Sequence, residues 1–179
     1  MGSGKITPTY IGDVIIKTPF GKIDTRSYGL IKVKRVAFGH STSEADTGFD
    51  LPEKALLFDI FLDVQTADSG KTINVGTKSS ESGGDADGFI KGASVGSTGL
   101  VIPSVTVTSG SSETYFSATT YGALLADFEA GSDNAGDVGT FYKHPYPTDS
   151  NTAKSLTYTC SAGTSKAAGY IYLVYLELE

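Results

Sequence analysis

A few groups of residues in this 179-residue chain have types and spacings that could do chemistry, and each competes with a plainer structural reading. Gly70-Lys71-Thr72 has the ending of a phosphate-binding loop, in which backbone N–H groups and a lysine cradle phosphates. Such a loop needs a glycine five residues before Gly70 and a helix behind it. This chain has Gln65 and the β-branched run Thr72-Ile73-Asn74-Val75, so the three residues read as a turn. His40 and His144 lie in separate polar stretches, neither with a histidine partner at metal-ligand spacing. A nucleophile, base and carboxylate could be gathered from His144, Asp149 and a serine, but nothing in the spacing selects them. A carboxylate pair for glycoside cleavage would have to be drawn arbitrarily from 20 acids. Asp85 and Asp87 stand one residue apart before Gly88, as oxygen ligands do before the sharp turn of a calcium loop. The closing acidic ligand is missing, and Phe89-Ile90-Lys91 stands in its way. An Asp-Gly turn is therefore the preferred reading, with calcium at Asp85 and Asp87 the alternative. No catalytic residue, no metal and no cofactor is expected, and the chain reads as non-enzymatic.

The elements that must carry these residues are strands. Glycine is abundant at 22 residues, Thr and Ser are frequent, and Tyr and Phe supply all the aromatics, a composition that favours β structure. Phe58, Ile60, Leu62 and Val64 alternate against Leu57, Asp59, Phe61 and Asp63, which places one apolar face on a core. Ala67-Asp68-Ser69-Gly70 then supplies turn chemistry before Thr72–Val75, and the two runs predict a β-hairpin. Further strands are expected over Tyr10–Lys17, Tyr28–Phe38, Leu100–Thr108, Thr114–Thr120, Val138–Lys143 and Lys154–Cys160. Tyr28–Phe38 shows a pattern slip at Lys34-Arg35 that predicts a bulge or an edge position. Pro103 predicts an edge for its strand. His40–Asp50 reads as a polar loop, and Gly122–Ala130 as the one stretch with helical spacing, with a strand the alternative. Tyr170–Leu176 is apolar on both faces, as expected of a strand central in a sheet or covered by another subunit. Short strands, glycine-rich turns and no βαβ rhythm predict an all-β protein: an antiparallel β-sandwich or jelly roll with at most one short helix, a barrel being the alternative.

Cys160 is the only cysteine, which rules out an intrachain disulfide framework; its spacing from Leu156 and Tyr158 makes it a core residue. The N-terminus has no apolar signal-peptide core, and the longest apolar run falls short of the ~18 residues of a membrane helix, so a soluble protein without a classical export signal is expected. Charge is uneven. Residues 1–40 carry seven Lys and Arg against two Asp, a net of +5, whereas the remainder carries −11. This suggests a basic N-terminal arm, residues 1–27, ahead of a single β-sandwich domain, 28–179, the competing reading being that Lys32, Lys34 and Arg35 mark the outward face of an early strand. An acidic chain without interleaved basic and aromatic residues is not expected to bind nucleic acid. His144-Pro145-Tyr146-Pro147 reads as a rigid exposed loop with an aromatic tip.

Three strings then carry a resemblance: Leu57–Val64, Lys71–Gly76, and Gly84-Asp85-Ala86-Asp87-Gly88-Phe89-Ile90-Lys91-Gly92. With Ala153–Thr159 and Gly169–Leu178, they resemble a family of structural proteins encoded with the head genes of tailed bacteriophages. The resemblance covers mainly residues 56–102 and 152–178, and its strings form fold, not a catalytic signature. It implies a virion component, a capsid decoration or cement protein on the outer surface of the phage head, made in the host cytoplasm. Its partner would be the lattice of the major capsid protein, with no nucleic acid and no membrane. A capsid-binding arm is then expected at Tyr10, Ile11, Val14, Lys17, Phe20, Lys22, Arg26, Lys32, Lys34 and Arg35. A homo-oligomer, a trimer by analogy with other decoration proteins, is expected to use Tyr170, Tyr172, Val174 and Leu176. The alternative is a tail- or fibre-associated recognition module that binds a host glycan through Phe141, Tyr142 and Tyr146.

Overall fold

A computed structural model describes residues 15–18, 21–24, 31–148, 154–163 and 166–177. Within them the chain is all-β, without a helix. The strands are β1 (Ile15–Thr18), β2 (Gly21–Asp24), β3 (Ile31–Phe38), β4 (Ala45–Leu51), β5 (Ala55–Thr66), β6 (Thr72–Thr77), β7 (Ile90–Ser94) and β8 (Gly99–Val101). They continue with β9 (Val105–Ser109), β10 (Thr114–Thr119), β11 (Ala126–Ala130), β12 (Gly139–Lys143), β13 (Tyr146–Pro147), β14 (Lys154–Cys160) and β15 (Ala168–Glu177). Every strand pairing is antiparallel. A five-stranded sheet has the order β13-β5-β15-β3, with β8 also on β5, and a four-stranded sheet has the order β4-β14-β6-β7. In each sheet a late strand is central: β15 between β5 and β3, and β14 between β4 and β6.

One core lies between these sheets, as in a β-sandwich. Ile60, Leu62 and Val64 of β5 and Ile171 and Leu173 of β15 are buried with Ile73 and Val75 of β6 and Leu156 of β14. Each such side chain stabilises the fold by roughly 1.5–3 kcal/mol. Phe89 and Leu125, supplied by loops, are fully buried in the same cluster. Cys160 is buried and unpaired, with Leu156 in the core and Tyr158 packed against it. The loop after β3 is pinned to β14: Gly39 N–H donates to the Tyr158 hydroxyl (3.1 Å), and Cys160 N–H donates to the Ser41 carbonyl (2.7 Å).

Several local readings change. The 67–70 turn is real, with Lys71 N–H donating to the Asp68 carbonyl (3.2 Å) and Gly70 at φ +72°. It does not close a hairpin, because β5 and β6 belong to opposite sheets and the turn carries the chain across the core. Phe58 does not join the apolar row either. The register against β15 runs from Asp59 opposite Val174 to Leu57 opposite Tyr175, so Phe58 is bulged out and 37% exposed while Leu57 is buried. The slip in β3 is no bulge: all eight residues pair in step with β15, and β3 is an edge strand. The polar 40–50 stretch contains β4, whose Phe49 packs against the core. Gly122–Ala130 holds a turn and then β11 in place of the helical reading. Pro103 separates two strands, β8 on β5 and β9 on β10.

Candidate docking surface

The surface that stands out is the outer face of the five-stranded sheet together with its β3 edge. Register decides which side chains share it. Val36 faces the buried Ile171 and Lys34 faces the buried Leu173, so Lys32, Lys34, Val36 and Phe38 form the core-side row. Ile31, Val33, Arg35 and Ala37 form the outer row, opposite Leu176, Val174, Tyr172 and Tyr170. The apolar residues of β3 thus change faces midway, which is what reads as a slip in the sequence. Ile31 is 66% and Val33 62% exposed. Tyr170, Tyr172, Val174 and Leu176, the expected oligomer contact, do share this outer row and are half-buried. The row continues onto β5, where Phe61 stacks on Tyr172 with ring centroids 5.1 Å apart, and onto β8, where the exposed Leu100 lies opposite Asp63.

Cations lie on both sides of β3. The Arg35 guanidinium lies 4.5 Å from the centroid of the Tyr170 ring, and Lys34 Nζ lies 5.0 Å from that of Phe49 on the opposite sheet. Lys32 pairs with Glu177, which raises the lysine pKa. Of the expected arm residues, Lys32, Lys34 and Arg35 lie on β3, the two lysines in the core-side row and Arg35 in the outer row. Lys17 and Lys22 are register partners in the β1–β2 pair. Tyr10, Ile11, Val14, Phe20 and Arg26 lie outside the described residues. Ile31, Val33, Phe61 and Leu100 were missed as site residues; the period of two within 31–34, read by itself, is the signal that exposes the first pair.

The other candidates are dispersed. Asp85 shapes a turn: its carbonyl accepts from Thr77 N–H (2.8 Å) and Gly88 N–H (3.2 Å), and its carboxylate accepts from Asp87 N–H (3.3 Å). Burial, then the neighbouring Asp87, raises the Asp85 pKa, and Asp87 pairs with Lys91 at 3.6 Å. Among the described residues no three His, Cys, Asp or Glu side chains gather as a cation site would require. His144 faces Asp127 (Nε2–Oδ2 3.8 Å), and Asp149 lies outside the described residues. Tyr146 is not an exposed tip: it lies on β13 and packs edge-on against Phe89, centroids 5.3 Å apart. Phe141 packs between Phe116 and Tyr121, whereas Tyr142 is 67% exposed beside His144. A cleft of about 340 Å³ lined by Lys91, Thr119, Tyr121, Ala123, Ala126 and Phe128 offers one cation and two hydroxyls, those of Thr119 and Tyr121, on apolar walls, with no histidine or carboxylate as a base.

No family model matches the chain, and no curated protein matches it. Two solved chains are similar in structure. One belongs to the acidic stable capsid structure of Helicobacter pylori bacteriophage KHP30, at 13% identity and TM-score 0.43, covering 85% of this chain and 91% of that one. The other belongs to the cyanophage Pam1 capsid asymmetric unit, at 15% identity and TM-score 0.43, covering 85% and 87%. Neither likeness is close enough to transfer a role to any residue.

The β9–β10 and β11–β12 hairpins are joined side by side: Phe116 N–H donates to the Val138 carbonyl (3.1 Å) and Gly131 N–H to the Phe116 carbonyl (2.9 Å). Asp133 clamps their tips. Its carboxylate accepts from Ser111 N–H (2.8 Å), Ser111 Oγ–H (2.7 Å), Ser112 N–H (2.7 Å) and Glu113 N–H (3.1 Å). These donors, the Ser111 hydroxyl first, hold the carboxyl well below the usual carboxylate range.

Proposed function

We propose that this protein is a non-enzymatic structural component of a tailed-phage virion, a decoration or cement protein on the outer surface of the head. The observation that carries the reading is the exposed apolar pair Ile31 and Val33 in the outer row, beside Arg35 and with Lys32 and Lys34 on the other side of the same edge strand, on a chain whose net charge is −6. A surface of this kind suits attachment to other protein, and repetition over a lattice multiplies weak contacts. The sequence resemblance supports it, since its strings coincide with β5, β6, β7, β14 and most of β15, the strands that frame the core. In this reading residues 1–27 act as an arm that, with Lys32, Lys34 and Arg35, grips the major capsid protein. The row of Tyr170, Tyr172, Val174 and Leu176 joins copies into a trimer.

Purified heads test this directly. The full chain is expected to co-sediment with heads, and a variant lacking residues 1–27 is expected to keep its β-sheet circular dichroism and lose that binding. Equal binding by the truncated protein would sink the arm, and failure of the full chain to bind heads would sink decoration. The exposed Tyr142 favours a second reading, a recognition module on a tail or fibre. Reconstruction of the particle separates the two by where the density lies.

A further inference from the structure

We propose that the free edge of β3 accepts an extended segment of a partner protein in which acidic and apolar residues alternate, adding a strand to the five-stranded sheet. The backbone provides the site. Among the described residues β3 pairs with β15 on one side and with no strand on the other, and its eight residues run in regular register. An unshielded edge of this length presents a row of N–H and C=O groups to any extended chain.

The side chains choose the partner. A strand laid on β3 sets its residues alternately beside the core-side row and the outer row. The core-side row offers Lys34, which lies over Phe49, and Lys32, already paired with Glu177, both exposed, while the outer row offers Ile31 and Val33. Acidic residues on one face and apolar residues on the other satisfy both rows. A second copy of β3 does not. In the full-length antiparallel register its Arg35 falls opposite Lys34, and a one-residue shift either way puts Lys34 or Arg35 opposite its own copy. Like charges directly opposed destabilise a pair, so the edge rejects itself and selects an acidic strand. This deepens the decoration reading by specifying the segment of the shell protein that would be gripped.

The test uses the full chain and two labelled synthetic octapeptides, one with valine and glutamate alternating, the other with the same residues in two blocks. Fluorescence anisotropy at low salt is expected to give at least about tenfold tighter binding of the alternating peptide. Backbone amides of residues 31–38 should exchange more slowly with it bound, and the double variant Lys32→Glu, Lys34→Glu should weaken binding about tenfold. Equal binding of the two peptides, or unchanged exchange over 31–38, overturns the proposal. If the double variant melts early, the exchange measurement on the natural chain still decides. Co-sedimentation with heads keeps the two readings apart. Peptide binding without head binding removes decoration and leaves the edge site, whereas head binding without protection of 31–38 removes the edge site alone.

Discussion

Asp133 has no apolar burial to lose, yet four donors converge on its carboxylate, so its contribution depends on charge. Its pKa is depressed in the folded state, so the stabilisation is complete above the unfolded value of about 3.9 and disappears as pH falls towards the folded value. Protection factors of amides in the 110–114 and 131–138 tips, each taken against the unprotected rate at the same pH, are expected to fall selectively below about pH 4, and Asp133→Asn to lower them at neutral pH. Unchanged exchange in the variant would show that the clamp is dispensable. Ile60 and Phe58 make a sharper pair. Ile60→Ala is expected to cost about 2–5 kcal/mol in urea unfolding, and Phe58→Ala about 1 kcal/mol or less, because the bulge turns Phe58 towards solvent. Alternation in the sequence makes these two equivalent. What distinguishes them is the step in register against β15, more than 100 residues away, which no local pattern encodes.

Strands were legible where alternation and turn residues agree, as in β5, β6, β14 and β15; their partners were not. Asp68-Ser69-Gly70 has the same chemistry whether the chain doubles back within a sheet or crosses to the other, and only the burial of both flanking strands' inner faces against each other selects the crossing. β4 escaped notice because its inward residues alternate with Asp and Gly, leaving Phe49 and Leu51 as the only large apolar side chains. The outer row of β15 was legible because the strand is apolar on both faces, whereas the arm rested on charge alone. Gly169 shows how tightly β15 is wedged. A Cβ there would run into the Asp63 carbonyl oxygen and meet the Phe38 ring at 3.0 Å. Gly169→Val is expected to cost about 1–3 kcal/mol, lowering Tm by roughly 2–4 °C per kcal/mol. A melting temperature unmoved by the substitution would mean that β5 and β3 can yield.

For the whole molecule, the apolar outer face makes self-association measurable independently of any particle. If that face joins copies, light scattering at micromolar concentration gives an oligomer mass, and Val174→Glu returns the protein to a monomer without lowering its β content. A monomeric natural chain would rule the face out as a contact between copies. The order of the strands has a consequence in time. Both sheets are completed from the middle by the last two strands, β14 and β15, with β3 and β5 separated until β15 enters and β4 and β6 until β14 does. A nascent chain that has reached residue 148 therefore holds nearly every strand and neither finished sheet. The ribosome adds residues at about 5–20 per second, so the sandwich stays open for seconds while residues 149–177 are made, and until then its gaps are open to any chaperone or neighbouring nascent chain.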